Sequence, residues 1–277
     1  GRVETLYWYG GKPYYFEVGI RDAAGFLWQY HHVDEPTVPQ AVKNAYTNKT
    51  SIGQGAFIGN IVWWPVSSYG KKFHHTHLNV LDPDGRYVNP LHLLLKQKEK
   101  VKPSIHEILV AQDNSSIALN TPSGPRPVIS GGIDIIARAD DKDGLDVYEL
   151  TTYRMDWGII ELTGTKSHNL PLSPLWVFDS LPGGGDRYKH VHDLFQPRIT
   201  YGGNTYYTRG DYNRRSFYYN LTNRLWGLPN PAGCWRTDAK DIWNRPLFPN
   251  GVYRIVVRAM DESGNFTTKT LDVEVKN

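Results

Sequence analysis

The chain has 277 residues, with 31 Lys and Arg against 28 Asp and Glu and a formal net charge of +3. Its basic residues are scattered, which excludes the concentrated stripe of a nucleic-acid-binding surface, and no apolar run approaches the ~20 residues of a membrane-spanning helix. A single cysteine, Cys234, excludes an internal disulfide and any cysteine-based zinc cluster.

Aromatic residues make up 13% of the chain, beside 26 Gly and 18 Pro. Aromatic segments broken by Gly and Pro turns are the pattern of short strands, so the fold class is read as mainly β. Helix is expected only at 40–45, as one turn, and at 91–100, as two or three.

In chain order, strands are expected at 2–8, 14–20 and 26–32, separated by turns at Gly10-Gly11 and at Asp22-Ala23-Ala24-Gly25. A proline-containing loop at 33–50 and a glycine-rich segment at 51–59 lead to strands at 61–66 and 75–81. Asp82-Pro83-Asp84-Gly85 is a turn signal. The run from Lys96 to Pro103 is charge-rich and reads as a solvated hinge, giving a first domain of 1–96 and a second of 103–277. In the second, strands are expected at 104–112, 132–139, 146–155, 158–164, 251–259 and 267–275, with a hairpin turn at Asp261-Glu262-Ser263-Gly264-Asn265. Several short strands with turns between them suggest a β-sandwich. Residues 171–249 are too long for an ordinary loop and read as an irregular insertion in it.

Five of the ten histidines fall in two clusters, His31-His32 and His74-His75-Thr76-His77. On a strand, His75 and His77 would share a face about 7 Å apart, with His74 on the other side. Two imidazoles on one face can divide their work, one binding a metal and the other stabilising an oxyanion or moving a proton.

The order of motifs around these histidines is Tyr30-His31-His32-Val33, then Ile52-Gly53-Gln54-Gly55-Ala56-Phe57-Ile58-Gly59, then His75-Thr76-His77, then Gly85-Arg86-Tyr87-Val88-Asn89-Pro90-Leu91. Over roughly the first ninety residues this order resembles the lysostaphin-type (LytM-like) zinc metallopeptidases, which cut peptide cross-links in bacterial cell walls. The resemblance implies a partial peptidase β-barrel or sheet. It implies His77 as a zinc ligand and His32 and His75 as the catalytic histidines, acting in zinc-assisted hydrolysis. It further implies a periplasmic, cell-surface or secreted bacterial protein with peptidoglycan or a peptide as substrate.

The family's other two zinc ligands, a His and an Asp, come from a strand upstream of the Tyr-x-His segment, and no His-x-x-x-Asp precedes Tyr30. Gly1 leads straight into strand-like sequence with no signal peptide, as in a processed chain. Two expectations follow: an upstream segment or another envelope protein completes the site, or the domain is a non-catalytic scaffold or binding subunit of a surface assembly. Asp22, Asp34 and His74 are the candidates for substitute ligands, and Asn79 stands where the family commonly has Glu.

The second domain resembles bacterial immunoglobulin-like modules, through the segment 251–265 and the strand that closes it. Tyr206, Tyr207, Tyr212, Phe217, Tyr218 and Tyr219 lie near Arg209, Arg214 and Arg215, and are read as packing the insertion ahead of binding glycan or protein. Asp140, Asp141, Asp143 and Asp146 are read as a solvated turn ahead of a calcium site. His190 and His192 repeat the His-x-His spacing without supporting context and are read as surface residues. Asn48, Asn114, Asn220 and Asn265 match the glycosylation acceptor pattern by chance composition.

Overall fold

The protein is described by a computed structural model over residues 1–10, 13–68, 70–72, 74–95, 99–142, 149–164, 168–181, 187–211, 214–225, 228–230 and 232–277. Asp143, Asp146 and Tyr212, and residues 96–98 of the charge-rich run, lie outside the described residues. The chain divides into two compact units, Gly1–Lys96 with Asp179–Leu181, and Gln97–Phe178 with Pro182–Asn277. Both are built mainly of strands.

The first unit is an antiparallel five-stranded sheet in the order β1 (Arg2–Trp8), β2 (Phe16–Arg21), β3 (Leu27–His31), β4 (His77–Leu81) and β5 (Tyr87–Val88). Along β2, Phe16 and Val18 turn to one face and are 4% and 0% exposed. There they join Val3, Val33 and Val38, and the helix α1 (Gln40–Asn48) adds Val42 and Ala45. Helix α1 starts directly after Pro39 and ends at Lys49 in the left-handed conformation, φ 55°. The spacing of Val42 and Ala45 places one side of α1 on the sheet, so the expected single turn becomes a longer helix. The opposite face of the sheet is left to Glu17, His31 and His77.

Three expectations are corrected in this unit. Residues 61–66 form no strand; Val62 donates to His32 O at 2.8 Å and Ile61 makes one isolated bridge to Val33. Val62 and Trp64 are buried while Ile61 and Trp63 are exposed, so the alternation is present without a ladder, since any extended segment alternates. Strand β4 begins at His77, so His75 lies before the strand and not on it. Of the helix expected at 91–100, the described residues show a 3-10 turn, Pro90–His92, and Leu95 is 94% exposed.

The second unit has two five-stranded sheets. In one, β7 (Gly132–Lys142) is central and pairs with β6 (Ser104–Gln112), β10 (Tyr218–Asn220) and the short strands Glu149–Leu150 and Trp235–Arg236. In the other, β9 (Leu170–Val177), β8 (Arg154–Glu161), β11 (Gly251–Met260) and β12 (Phe266–Val275) follow one another, with Val128–Ile129 parallel at the edge. Both sheets contribute to one core, Ile133, Ile135 and Ala137 from β7 meeting Ile159, Ile255, Val257 and Val273. The two strands expected at 146–155 and 158–164 are chiefly one strand, β8, preceded by Glu149–Leu150.

Residues 171–249, expected as an irregular insertion, supply most of β9, all of β10 and the helix α2 (Arg187–Asp193). Strand β7 is buried on both faces: Ile136, Leu109 and Ala111 form a second cluster with Ile199, Tyr201 and Tyr218 from this segment. Tyr218 and Tyr219 are both 0% exposed, which stabilises the unit by about 2 kcal/mol or more per ring. Phe217, Tyr218 and Tyr219 are therefore core, as the packing reading expects, while Tyr206 is partly buried and Tyr207 is 45% exposed.

Candidate functional site

Antiparallel pairing places Glu17 opposite His31 and His31 opposite His77, in one row across β2, β3 and β4. Directly opposed residues share a face, so the carboxyl and two imidazoles lie side by side. In the next row Gly19, Gln29 and Asn79 are opposed in the same way. A Cβ on Gly19 would stand 1.9 Å from Thr5 Oγ1 and 3.0 Å from Glu17 Oε1; only a glycine leaves Thr5 room to reach the carboxylate.

Glu17 is 0% exposed. A buried carboxylate needs donors, and it has Thr5 Oγ1 at 2.6 Å, Tyr9 OH at 2.7 Å and Gln29 Nε2 at 3.2 Å. His31 Nδ1 lies 3.7 Å from its Oε2. Asn79 bridges the two imidazoles, Nδ2 3.2 Å from Nε2 of His31 and Oδ1 3.0 Å from Nε2 of His77. With the amide in this orientation, Nδ2 donates to His31, whose own proton then sits on Nδ1 towards Glu17. Asn79 Oδ1 accepts from Nε2–H of His77.

His32 ends the β3 segment in the left-handed region, φ 64°, a conformation that costs a non-glycine residue about 1 kcal/mol or more. It is 6% exposed, and its Nδ1 donates to Tyr14 O at 2.7 Å. The turn brings its ring 4.8 Å from that of His75, 5.9 Å from His77 and 4.4 Å from Trp64. The rings of His31 and His77 are 5.0 Å apart. Four imidazoles thus converge, although His75 and His77 do not share a strand. Burial lowers the pKa of His31, opposed by Glu17 and reinforced by His77 and His32. Burial also lowers that of His32, opposed by the Tyr14 carbonyl and reinforced by His75 and His77. Both rings are held towards the neutral form, in which each imidazole can accept a proton.

The substitute ligands do not join this cluster. Asp22 accepts from Ala24 N, Phe26 N and Trp28 Nε1 in the β2–β3 hairpin. His74 Nδ1 accepts the N–H of Trp64 at 3.1 Å, and its ring lies 4.3 Å from Trp63. Asp34 precedes the 3-10 turn Glu35–Thr37 with no capping hydrogen bond from its side chain. Among the described residues, no group of three or more His, Cys, Asp and Glu could hold a metal ion. A catalytic zinc takes three protein ligands, so these residues do not by themselves fit the zinc that the family resemblance implies.

Glu17, Gln29 and Asn79 had not been singled out as functional partners of the histidines. The signal was present: a hairpin turning at Asp22–Gly25 fixes the register that sets Glu17 against His31, and a charged residue stands in the apolar strand Phe16–Arg21. In the second unit, His192 is an exposed residue, as its reading as a surface residue expects, and stands at the rim of a pocket of about 700 Å³. No helix is long and apolar enough to cross a membrane among the described residues. Comparison of the chain with family models, curated proteins and solved structures finds no match.

Proposed function

We propose that the chain is a bacterial cell-envelope protein whose first unit is a lysostaphin-like, peptide-binding domain, followed by an immunoglobulin-like unit. The ancestral reaction is endopeptidase cleavage of peptidoglycan cross-links, and the site is incomplete in this chain alone. The supporting observation is the convergence of His31, His32, His75 and His77, with His32 and His75 rings 4.8 Å apart. Imidazoles at this spacing can hydrogen-bond a peptide carbonyl and exchange a proton with a peptide nitrogen or water. Exposed aromatics at Tyr7, Trp8, Tyr9, Tyr15 and Trp63 give the unit apolar surface on which a peptide can lie.

A zinc centre at His77 requires two further donors from outside the described residues, an upstream segment or a partner. The shortage of metal donors beside His77 favours the second reading, a binding or scaffold subunit of a surface assembly, for this chain by itself.

The test compares this chain alone with the chain carrying any upstream segment that its gene encodes, each incubated with zinc. Metal content is read by mass spectrometry, binding by calorimetry with a glycine-rich cross-bridge peptide, and cleavage by release of muropeptides. Peptide binding by both forms, lost in His32→Ala, with cleavage only in a form that holds zinc, is the expected result. Absence of binding and cleavage in both forms overturns the proposal.

A further inference from the structure

In the second unit, residues 239–247 fold back on themselves with an apolar tip. Leu247 N donates to Ala239 O at 2.8 Å and Asp241 N to Arg245 O at 2.9 Å. Asp241 fixes the turn between them: its Oδ1 accepts from Trp243 N and Arg245 N, both at 2.9 Å, and its Oδ2 from Arg245 Nε at 2.8 Å. The Arg245 guanidinium carbon lies 4.7 Å from the centre of the Trp243 ring. On this preorganised turn Ile242 is 88% exposed and Trp243 is 68% exposed. Two adjacent large apolar side chains held in water add nothing to the stability of the fold, whereas a rigid loop that presents an aromatic anchor lowers the cost of binding.

The same unit holds the pocket of about 700 Å³. Val191 of α2, Phe195, Pro197 and Phe217 give it an apolar wall, with the rings of Phe195 and Phe217 6.3 Å apart. Val191 and Phe195 are only half-buried and Pro197 is exposed, so the wall is open to an incoming group. We propose that the Ile242–Trp243 tip of one copy of this chain docks in this pocket of a second copy. The inference is independent of the histidine cluster.

Size, polarity and charge favour a second copy as the occupant. A pocket of this volume is of the size that receives a compact apolar group, and two neighbouring side chains are such a group. Its lining sets Asp134 and Asp193 against Arg209, while the hairpin sets Lys240 and Arg245 against Asp241, so the two surfaces carry opposite excess charge. The Asp193 carboxylate has one ionic neighbour among the described residues, His190 Nδ1 at 3.9 Å, which leaves it able to accept from an indole N–H or from the exposed Lys240 ammonium. A lipid surface is the weaker candidate. Membrane insertion of an aromatic tip calls for several cations around it, and here Asp241 neutralises Arg245. Because tip and pocket are different patches of the molecule, the contact is heterologous, either reciprocated in a closed dimer or continued as a chain of copies.

The experiment is sedimentation velocity on the full chain from about 1 to about 200 μM, the range of small reversible interfaces. The expected result is a mass that rises with concentration, with association weakened about tenfold or more in Trp243→Ala. Gly210 lines the pocket and a Cβ there meets nothing within 4 Å. Gly210→Trp should therefore obstruct the pocket and weaken association equally, with circular dichroism showing the fold retained. An equimolar mixture of the two variants should associate again, since one brings an intact pocket and the other an intact tip. A photo-crosslinking benzoylphenylalanine in place of Ile242 gives a second reading that alters no pocket residue, and its products should join position 242 to residues 191–197 of another copy. A chain that stays monomeric throughout overturns the proposal, as does association that Trp243→Ala leaves unchanged, a mixture that fails to associate, or cross-links only outside the pocket. Binding to anionic lipid vesicles through Trp243 by a chain that does not self-associate also overturns it.

Discussion

Glu17 and His31 oppose each other across β2 and β3, with Oε2 of the carboxylate 3.7 Å from Nδ1 of the imidazole. Packing alone would put an apolar side chain at a strand position that is 0% exposed. A carboxylate survives there because Thr5, Tyr9 and Gln29 donate to it. Burial holds the His31 pKa down, and Glu17 is the partner that raises it. Glu17→Gln keeps the shape and removes the charge, so the His31 pKa should fall further below 6.5. Titration of the His31 ring by NMR reads this directly, and an unchanged or higher value would show that the carboxylate does not act on the ring.

Opposite signs of proton linkage are expected in the two units. His31 and His32 have folded pKa values below the ordinary histidine value of 6.5, so below that pH the unfolded chain takes up protons first. Their contribution to the first unit is present above pH 6.5 and is lost as pH falls. In the second unit, burial raises Asp134 to about 6 and Asp141 to about 7 from the ordinary aspartate value of 3.8. There the folded state binds the proton first, so stability increases as pH falls from about 7 towards about 4. Discounted for solvent screening, each carboxyl contributes about 1–2 kcal/mol to this slope. Hydrogen exchange at about pH 5.5 and about pH 7.5, corrected for intrinsic rates, should show β2 and β3 protected less at the lower pH and β7 protected more. Movement of both in one direction would contradict it.

Asp156 is 0% exposed and lies in register with Arg258 on β11. Its Oδ1 accepts from Arg154 Nε at 2.6 Å and its Oδ2 from Arg258 Nε at 3.0 Å. Replacing such a group with well-packed apolar residues is often neutral, but removing one charge strands the other. Both guanidinium side chains are about a third exposed, so water recovers part of the loss. Asp156→Asn should cost about 2–4 kcal/mol, seen as a lower urea midpoint with an unchanged slope. A midpoint equal to that of the parent protein would mean that water already solvates the two arginines.

The strand-rich fold was legible because period-two alternation and turn chemistry are local properties, as in Gly251–Met260 and Phe266–Val275 on either side of the 261–265 turn. The role of residues 171–249 was not. Tyr218 and Tyr219 are buried on opposite faces of the sheet, in different clusters, and a strand buried on both faces has no alternation to read. At the site, the convergence of His32 with His75 depends on the positive φ of His32 and on the non-strand path of residues 61–66, neither of which periodicity encodes. Glu17 was within reach, since its pairing follows by counting back from the β2–β3 turn.

Asn79 ties this site to a specific protonation pattern. Its Oδ1 takes the Nε2 proton of His77 at 3.0 Å while its Nδ2 faces His31 Nε2 at 3.2 Å. An outer partner that fixes which imidazole nitrogen carries the proton is how proteins ready a histidine as a ligand or base. Leucine has the same branched side-chain skeleton as asparagine, with methyl groups in place of the amide oxygen and nitrogen, so Asn79→Leu should release this constraint while leaving β4 in place. In the parent protein, the ring nitrogens of His77 should report a proton predominantly on Nε2. In Asn79→Leu the two tautomers should approach a mixture, and the His31 ring signals should shift with them. Nitrogen-15 spectra of the imidazoles above pH 7 make the measurement. If His77 carries its proton on Nδ1 in the parent protein, Asn79 is oriented the other way, and His77 is not poised to offer Nδ1 to a metal or a substrate proton.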